Sequence, residues 1–408
     1  MNLLLLGNGY DLSMNLPTAY IDFLDTVNYI REHRMNHYGT IADLWSSETL
    51  RARNKHIEQA YCKYEKVYRK TILPDGFTRE VGMLAEESIW FCYLLESFNK
   101  DVGWIDFEQE IQAVIQSFHT VLDASNGSYI ENAYGGFHKE LYIVLSFNFF
   151  TTGEKNEKHS VLKGEHPVRP EYLIEYPLGS GNLILNKDKI IEHLYDKLSD
   201  LANLLQKYLE VFIDNPFETI VKEKMVVDQK TFVYIDKAIT LNYTHSFEKL
   251  YPTTSVLHLH GEVGKKIVLG INSDDSDDGT LTKTDYIAFK KYFQRLVYGT
   301  DKSYISFIEH VRKNGKVIGQ ISLSVMGHSL DISDRDVIVD LFSISSSITV
   351  LYHNQAALEN YVKNIVRIFG KSGLDELRAK KDLKFQPLSD EKEYIEEQGF
   401  NTFEEAFR

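Results

Sequence analysis

A doubly wound α/β fold, with a mainly parallel Rossmann-like sheet and a large inserted helical block, is what this sequence predicts. Three observations carry the prediction. The chain opens on a continuous apolar run, Leu3–Leu6, followed at once by Gly7-Asn8-Gly9. Such a run suits a strand covered on both faces, as in a parallel sheet. After residue 230, short β-rich runs alternate with helical segments, and that alternation is the mark of βαβ units. Between about 50 and 230 the pattern is mainly helical instead.

In chain order, Leu3–Leu6 is the first strand, and a helix follows near Thr18–Val27, with Pro17 placed for its first turn. Arg51–Ile72, Glu80–Asn99 and Asp106–Phe118 carry apolar residues at three- and four-residue spacing. Phe149–Asn182 is Gly-, Lys- and Glu-rich, with two prolines near its middle, and reads as a loop insertion or connection. Asp188–Asp214 is one amphipathic helix with Ile191, Leu194, Leu198, Leu201, Leu205, Tyr208 and Phe212 on one stripe. Strands are expected at Phe232–Ile235, Ala238–Asn242, Val256–His260, Ile267–Gly270, Ile321–Met326 and Ser347–Tyr352. Helices are expected at Asp285–Tyr298 and Asp334–Leu341, with the acidic Asn272–Asp278 as a surface loop. The organisation implied is a discontinuous nucleotide-binding domain, 1–50 and 230–385, an inserted helical domain, 51–229, and an acidic tail, 386–408.

Composition limits the function. With 43% hydrophobic and 25% charged residues, the 408-residue chain can build a large core. Its 45 basic and 59 acidic residues, net −14, disfavour broad nucleic-acid coating. Two cysteines, Cys62 and Cys92, make neither a disulfide framework nor a zinc pattern, and fit a reducing compartment. No apolar run approaches the roughly 20 residues of a membrane helix. The expectation is a cytoplasmic protein without membrane contact.

Four local signals fall at predicted strand ends. The first is Gly7-Asn8-Gly9-Tyr10-Asp11, where glycines let backbone N–H groups approach a pyrophosphate. It is not a complete GxGxxG fingerprint, since position 12 is Leu, and a plain strand-to-helix turn is the competing reading. The second is Thr240-Leu241-Asn242-Tyr243-Thr244, whose Asn242 sits where open α/β sheets bind ligands. It also reads as a turn with Thr244 capping a helix over Ser246–Tyr251. The third is His258-Leu259-His260-Gly261. On a regular strand its two imidazoles share a face, and they could bind metal or supply a general base; a structural histidine beside an exposed one is the alternative. The fourth is Gly327-His328-Ser329-Leu330-Asp331, where Ser329 and Asp331 can bond ribose hydroxyls or backbone. Ser333-x-x-Asp336 before an apolar run reads as a capping box.

These blocks together resemble the AbiH family, bacterial proteins named for abortive infection. The resemblance rests on Gly7-Asn8-Gly9-Tyr10-Asp11-Leu12 with Leu16-Pro17-Thr18 and Tyr20-x-x-Phe23, then Trp104-x-Asp106-x-Glu108. It continues through Asn242-Tyr243-Thr244, His258-x-His260-Gly261 and Gly327-His328-Ser329-Leu330-Asp331-x-x-Asp334, from residue 1 to about 350. A more distant resemblance is to sirtuin-like NAD-binding domains. There Gly7 and Gly9 match the first turn, Asn242 the strand-end asparagine, His260 the His-Gly strand end, and Gly327 with Ser329 the last strand end. That resemblance implies Asn242 and His260 as the catalytic pair. It implies Gly7, Asn8, Gly9, Asp11, Thr18, Asp106, Gly327, Ser329 and Asp331 around bound NAD, with no metal. Asp11 near a usual Ser and Thr244 for a usual Asp are departures, and the missing cysteine zinc module argues against a deacetylase.

Three functions compete. One is an antiphage effector hydrolysing NAD at the nicotinamide–ribose bond, with Asp11, Asp106 or Glu108 facing the cationic ribose. Another is a metal-dependent nuclease or phosphoesterase using His258, His260, Asp331 and Asp334. The last is a non-catalytic nucleotide sensor. The implied partners are a nucleotide, a phage-derived trigger and further copies of the chain.

Overall fold

The computed structural model describes residues 1–98, 107–124, 143–144, 146–147, 169–175, 183–226, 234–272, 284–313 and 316–388. Six strands form one sheet: β1 Asn2–Leu6, β2 Lys237–Thr240, β3 Ser255–His258, β4 Ser322–Met326, β5 Ser347–Tyr352 and β6 Leu383–Pro387. Every pairing is parallel. The spatial order is β3-β2-β1-β4-β5-β6, the doubly wound order of Rossmann-type sheets. The chain leaves β1 toward β2 on one side and resumes at β4 on the other.

The leucine run explains the central position of β1. Leu3, Leu4, Leu5 and Leu6 are all fully buried, which only a strand covered on both faces allows. Leu4 and Leu6 join Ala238, Met326 and Leu351 on one face, in a core continuous with the helices between Tyr20 and Lys222. Leu3 and Leu5 join Ile239, Leu323, Val325, Ile348 and Val350 on the other, under the helices Lys302–Val311, Arg335–Ile344 and Gln355–Lys380. The described helices between residues 51 and 222 therefore share one core with the sheet, where Trp45 stacks on Phe212 and meets Tyr68 edge to face.

Several elements differ from the sequence expectation. The Arg51–Ile72 helix is two, Glu48–Arg53 and Lys55–Tyr68, because Asn54 leaves the helix and caps the second with its side chain on Ile57 N–H. The long amphipathic helix is α-helical over Lys187–Tyr208 and becomes a π-helix over Leu209–Asp214. Ile267–Gly270 is not a strand; Ile267 makes an isolated bridge with Gly261. Strand β6 crosses the expected start of the tail and is a sheet edge, where its Pro387 is tolerated. The expected strand at Phe232–Ile235, the loop at Phe149–Asn182, the Asn272–Asp278 loop and the tail beyond Leu388 lie mainly outside the described residues. No helix among the described residues is long and apolar enough to cross a membrane.

The sheet is closed at its centre by contact between the turns after β1 and β4. Gly9 N–H donates to Gly327 O at 2.8 Å, and Gly7 N–H to Met326 O at 3.1 Å. A Cβ on Gly7 would lie 2.6 Å from His328 Cα, and one on Gly327 would lie 2.1 Å from Tyr10 N. Gly327 is also left-handed, with φ +68°. Gly327→Ala is expected to destabilise the protein by more than the about 1–2 kcal/mol of left-handed strain alone, since backbone must also move. Urea unfolding of the variant against wild type measures it.

Candidate functional site

A cavity of about 520 Å³ opens at the carboxyl ends of β1, β2 and β4. This is the crevice where doubly wound sheets bind ligands, and its size suits a small organic molecule. Gly7, Asn8, Asp11, Thr18, Asn242, His260, Gly327, Ser329 and Asp331 all line it. Gly9 lies just behind, against Gly327. Asp106 falls outside the described residues.

The first turn differs from a phosphate cradle. Gly9 N–H and Tyr10 N–H are already bonded to Gly327 O and Gly7 O, so they are not free for a pyrophosphate. The glycines instead let two loops touch. Asn8 reaches across the cavity mouth, its amide donating to Thr18 O at 3.1 Å.

Asp11 lies beneath the cavity, fully buried. Thr244 Oγ1 donates to it at 2.6 Å, and Ser246 Oγ donates to its other oxygen. Thr244 is therefore not the cap expected from sequence; His245 holds the N-cap position of the helix Ser246–Leu250. Burial pushes the Asp11 carboxyl up to about 6, against the lowering effect of these two hydroxyls.

Asn242 is buried at the end of the turn after β2. Its main-chain N–H donates to Thr240 Oγ1, and its carbonyl accepts from His258 Nδ1. Its side-chain amide makes no hydrogen bond to another described residue, so both its donor and its acceptor remain for a ligand.

His260 lies beyond β3, which ends at His258, so the two imidazoles part instead of sharing a face. His260 Nε2 is buried, 3.3 Å from Asp334 Oδ1 but without hydrogen-bond geometry. Asp334 is a hub. Lys291 Nζ donates to its Oδ1 at 2.8 Å, and His328 Nε2 meets its Oδ2 at 3.3 Å. Leu330 N–H donates to His328 Nδ1, which leaves the proton of that ring on Nε2, facing Asp334. Leu330 itself is left-handed, φ +54°, with its side chain fully buried. Lys291 also reaches Glu108 Oε1 at 2.6 Å. Burial would raise the Asp334 carboxyl, but Lys291 and His260 hold it well below the usual carboxylate range. Burial pushes the His260 imidazole down to about 4, against the pull of Asp334, so the ring is neutral at physiological pH.

The capping box expected at Ser333-x-x-Asp336 does not form. Asp334 holds the N-cap position without a side-chain cap bond, Asp331 accepts from Ser333 N–H, and Asp336 pairs with Arg295. His328 stands inside the Gly327–Asp331 strand end, but the sequence assigns it no role. Nothing local marks Lys291, whose partners lie 43 residues downstream at Asp334 and on a distant helix at Glu108.

Behind Asn242 lies a second polar cluster. His245 Nδ1 meets Asp214 Oδ2 at 2.6 Å and its Nε2 meets Glu262 Oε2 at 2.8 Å, while His258 Nε2 meets Glu248. His258 thus belongs here, apart from His260 and Asp334, so the proposed metal set of His258, His260, Asp331 and Asp334 is not assembled.

The Asp11 shift has a testable sign. Because its folded pKa lies above its unfolded one, it favours the native state below about pH 4, and that contribution fades as pH rises through about 6. It amounts to about 3 kcal/mol for a fully buried group. Asp11→Asn is expected to remove this fall; thermal unfolding of both proteins from pH 4 to 7 checks it.

No curated protein matches the chain. The model of the family described as Bacteriophage abortive infection AbiH matches residues 3–353, a range that holds β1 apart from Asn2, β2 to β5 and every described residue of the cavity wall. The chain belongs to the AbiH family of bacteriophage abortive-infection proteins.

Proposed function

We propose that this AbiH protein acts in abortive infection by hydrolysing NAD at the nicotinamide–ribose bond. The observation that carries the reading is the convergence of Asn242, with a free side-chain amide, and His260, neutral and oriented beside Asp334, on one cavity at the switch point of a Rossmann-ordered sheet. The sirtuin-like resemblance of the same strand ends supports it.

The wall suits this chemistry. Asp11, Glu108, Asp331 and Asp334 line the cavity. Carboxylates near the ribose stabilise the positive charge that develops as the glycosidic bond breaks. The Asn242 amide orients a water or the nicotinamide ribose. With Nε2 turned toward Asp334, the other ring nitrogen of His260 accepts a proton from that hydroxyl or water. Lys291 compensates the buried charge of Asp334, helping to hold that carboxyl ionised, and also pairs with Glu108.

Purified protein incubated with NAD, with and without phage lysate, is expected to release nicotinamide. Asn242→Ala and His260→Ala are each expected to lower the rate by about 10²–10³-fold. Intact NAD under every condition, from a wild type that still kills on expression, would reject the reading.

A further inference from the structure

The cluster behind Asn242 joins four parts of the chain. Asp214 ends the π-helix, His245 and Glu248 flank the start of the helix Ser246–Leu250, His258 ends β3, and Glu262 follows it. The His245 and His258 rings lie 5.4 Å apart, centre to centre.

The hydrogen bonds decide where the protons sit. His258 Nδ1 faces the main-chain carbonyl of Asn242 at 3.1 Å, and a carbonyl only accepts, so Nδ1 carries the hydrogen. His258 Nε2 of a neutral ring is then a lone pair, yet it points at the Glu248 carboxylate. His245 repeats the pattern. Its Nδ1 faces Asp214 Oδ2 and its Nε2 faces Glu262 Oε2. Two ring nitrogens and two carboxylates thus meet acceptor to acceptor unless positive charge lies between them. In the ion-free protein a proton on His245 supplies part of it, since the hydrogen bond to Asp214 pushes that imidazole up to about 9. A divalent cation bound by both rings would supply it for both pairs at once, displacing that proton and balancing Glu248 and Glu262.

The surroundings have the form of a metal site's outer layer. Metal-binding histidines donate their second ring N–H to a carboxylate or a backbone carbonyl, which here are Asp214 and Asn242 O. Glu262 Oε1 is held by Lys265 at 2.6 Å, Asp214 by Lys249, whose Nζ donates to its carbonyl at 2.6 Å, and His245 N–H donates to Asp214 Oδ1 at 2.9 Å. The ligand atoms of His245, His258 and Glu262 lie within 4.8 Å of one another. Glu248 and Glu262, both partly exposed, retain the freedom to close on an ion.

We propose that His245, His258, Glu248 and Glu262 bind one zinc-class divalent cation that staples the Asn242–Thr244 turn to β3 and the π-helix. Imidazole nitrogens select zinc and its transition-metal neighbours over magnesium and calcium, which prefer oxygen alone. Two imidazole nitrogens and two carboxylates are ligand types that zinc accepts, and they make up a four-coordinate set. The site is separate from the cavity and does not depend on the NAD reading.

The test uses the full chain, stripped with chelator and titrated with zinc chloride by calorimetry, and with cobalt by its visible absorption. Wild type is expected to take up one equivalent, with the absorption bands of tetrahedral cobalt. His245→Ala and Glu262→Gln are expected to weaken zinc binding by at least the about 10–100-fold seen when a supporting residue of a metal site is lost. His260→Ala is expected to bind as wild type does, which places the ion outside the cavity. Circular dichroism of the stripped variants shows whether each is folded, and if His245→Ala is not, the partly exposed Glu262→Gln decides. Wild type taking up no equivalent of zinc, a folded Glu262→Gln binding as tightly as wild type, or loss of binding in His260→Ala would each overturn the proposal and leave the cluster a network of protonated imidazoles.

Discussion

The turns after β1 and β4 touch backbone to backbone, and the rest of the site is arranged around that contact. No side chain other than hydrogen fits at Gly7 or Gly327, where a Cβ would overlap His328 Cα or Tyr10 N. The contact brings the loop that carries His328, Ser329, Asp331 and Asp334 over the first turn. It also consumes the N–H of Gly9, which is why these glycines serve loop packing before any phosphate. A doubly wound sheet separates its neighbours at this point, and here the gap is bridged at its base and open above, leaving the cavity.

Charge inside that cavity is tolerated because it is paired. Asp334, Lys291, Glu108, His260 and His328 are held in one chain of contacts within a few ångströms. An unpaired carboxylate at this depth would take up a proton, as Asp11 partly does with its pKa near 6. Asp11 has only hydroxyl donors, while Asp334 has a lysine, and the opposite directions of their shifts follow from that difference. Two carboxylates in one cavity are thereby set to different protonation behaviour, a condition that acid–base chemistry requires.

The π-helix links the helical block to this site. Leu209 lines the cavity, while at its end Asp214 fastens His245, whose chain neighbours Thr244 and Ser246 fasten Asp11. The turn carrying Asn242 is therefore clamped on two sides, by Asp11 below and by the histidine cluster behind. The extra residue per turn in a π segment rotates Asp214 relative to the amphipathic stripe, so apolar Val211, Phe212 and Ile213 remain buried while the carboxylate turns to His245.

The all-leucine run Leu3–Leu6 determined by itself that the first strand is central, because only burial on both faces is compatible with it. The glycines and polar residues at Gly7–Asp11, Asn242, His260 and Gly327–Asp331 likewise located the cavity wall, since strand ends on one edge of a parallel sheet converge whatever the details between them. What local pattern could not reveal are partnerships between distant segments. Thr244 reads as a helix cap but bonds Asp11, Ser333 reads as a cap but follows one, and His258 and His260 read as a pair but face different clusters. Lys291 carries no local mark at all, yet it pairs with the buried Asp334 and the half-buried Glu108 of the cavity wall. Periodicity records burial, which is a property of one element at a time. The choice of partner for a buried polar group is made only when separate elements pack, because its desolvation must be offset by whatever charge or hydrogen bond the tertiary structure brings within reach.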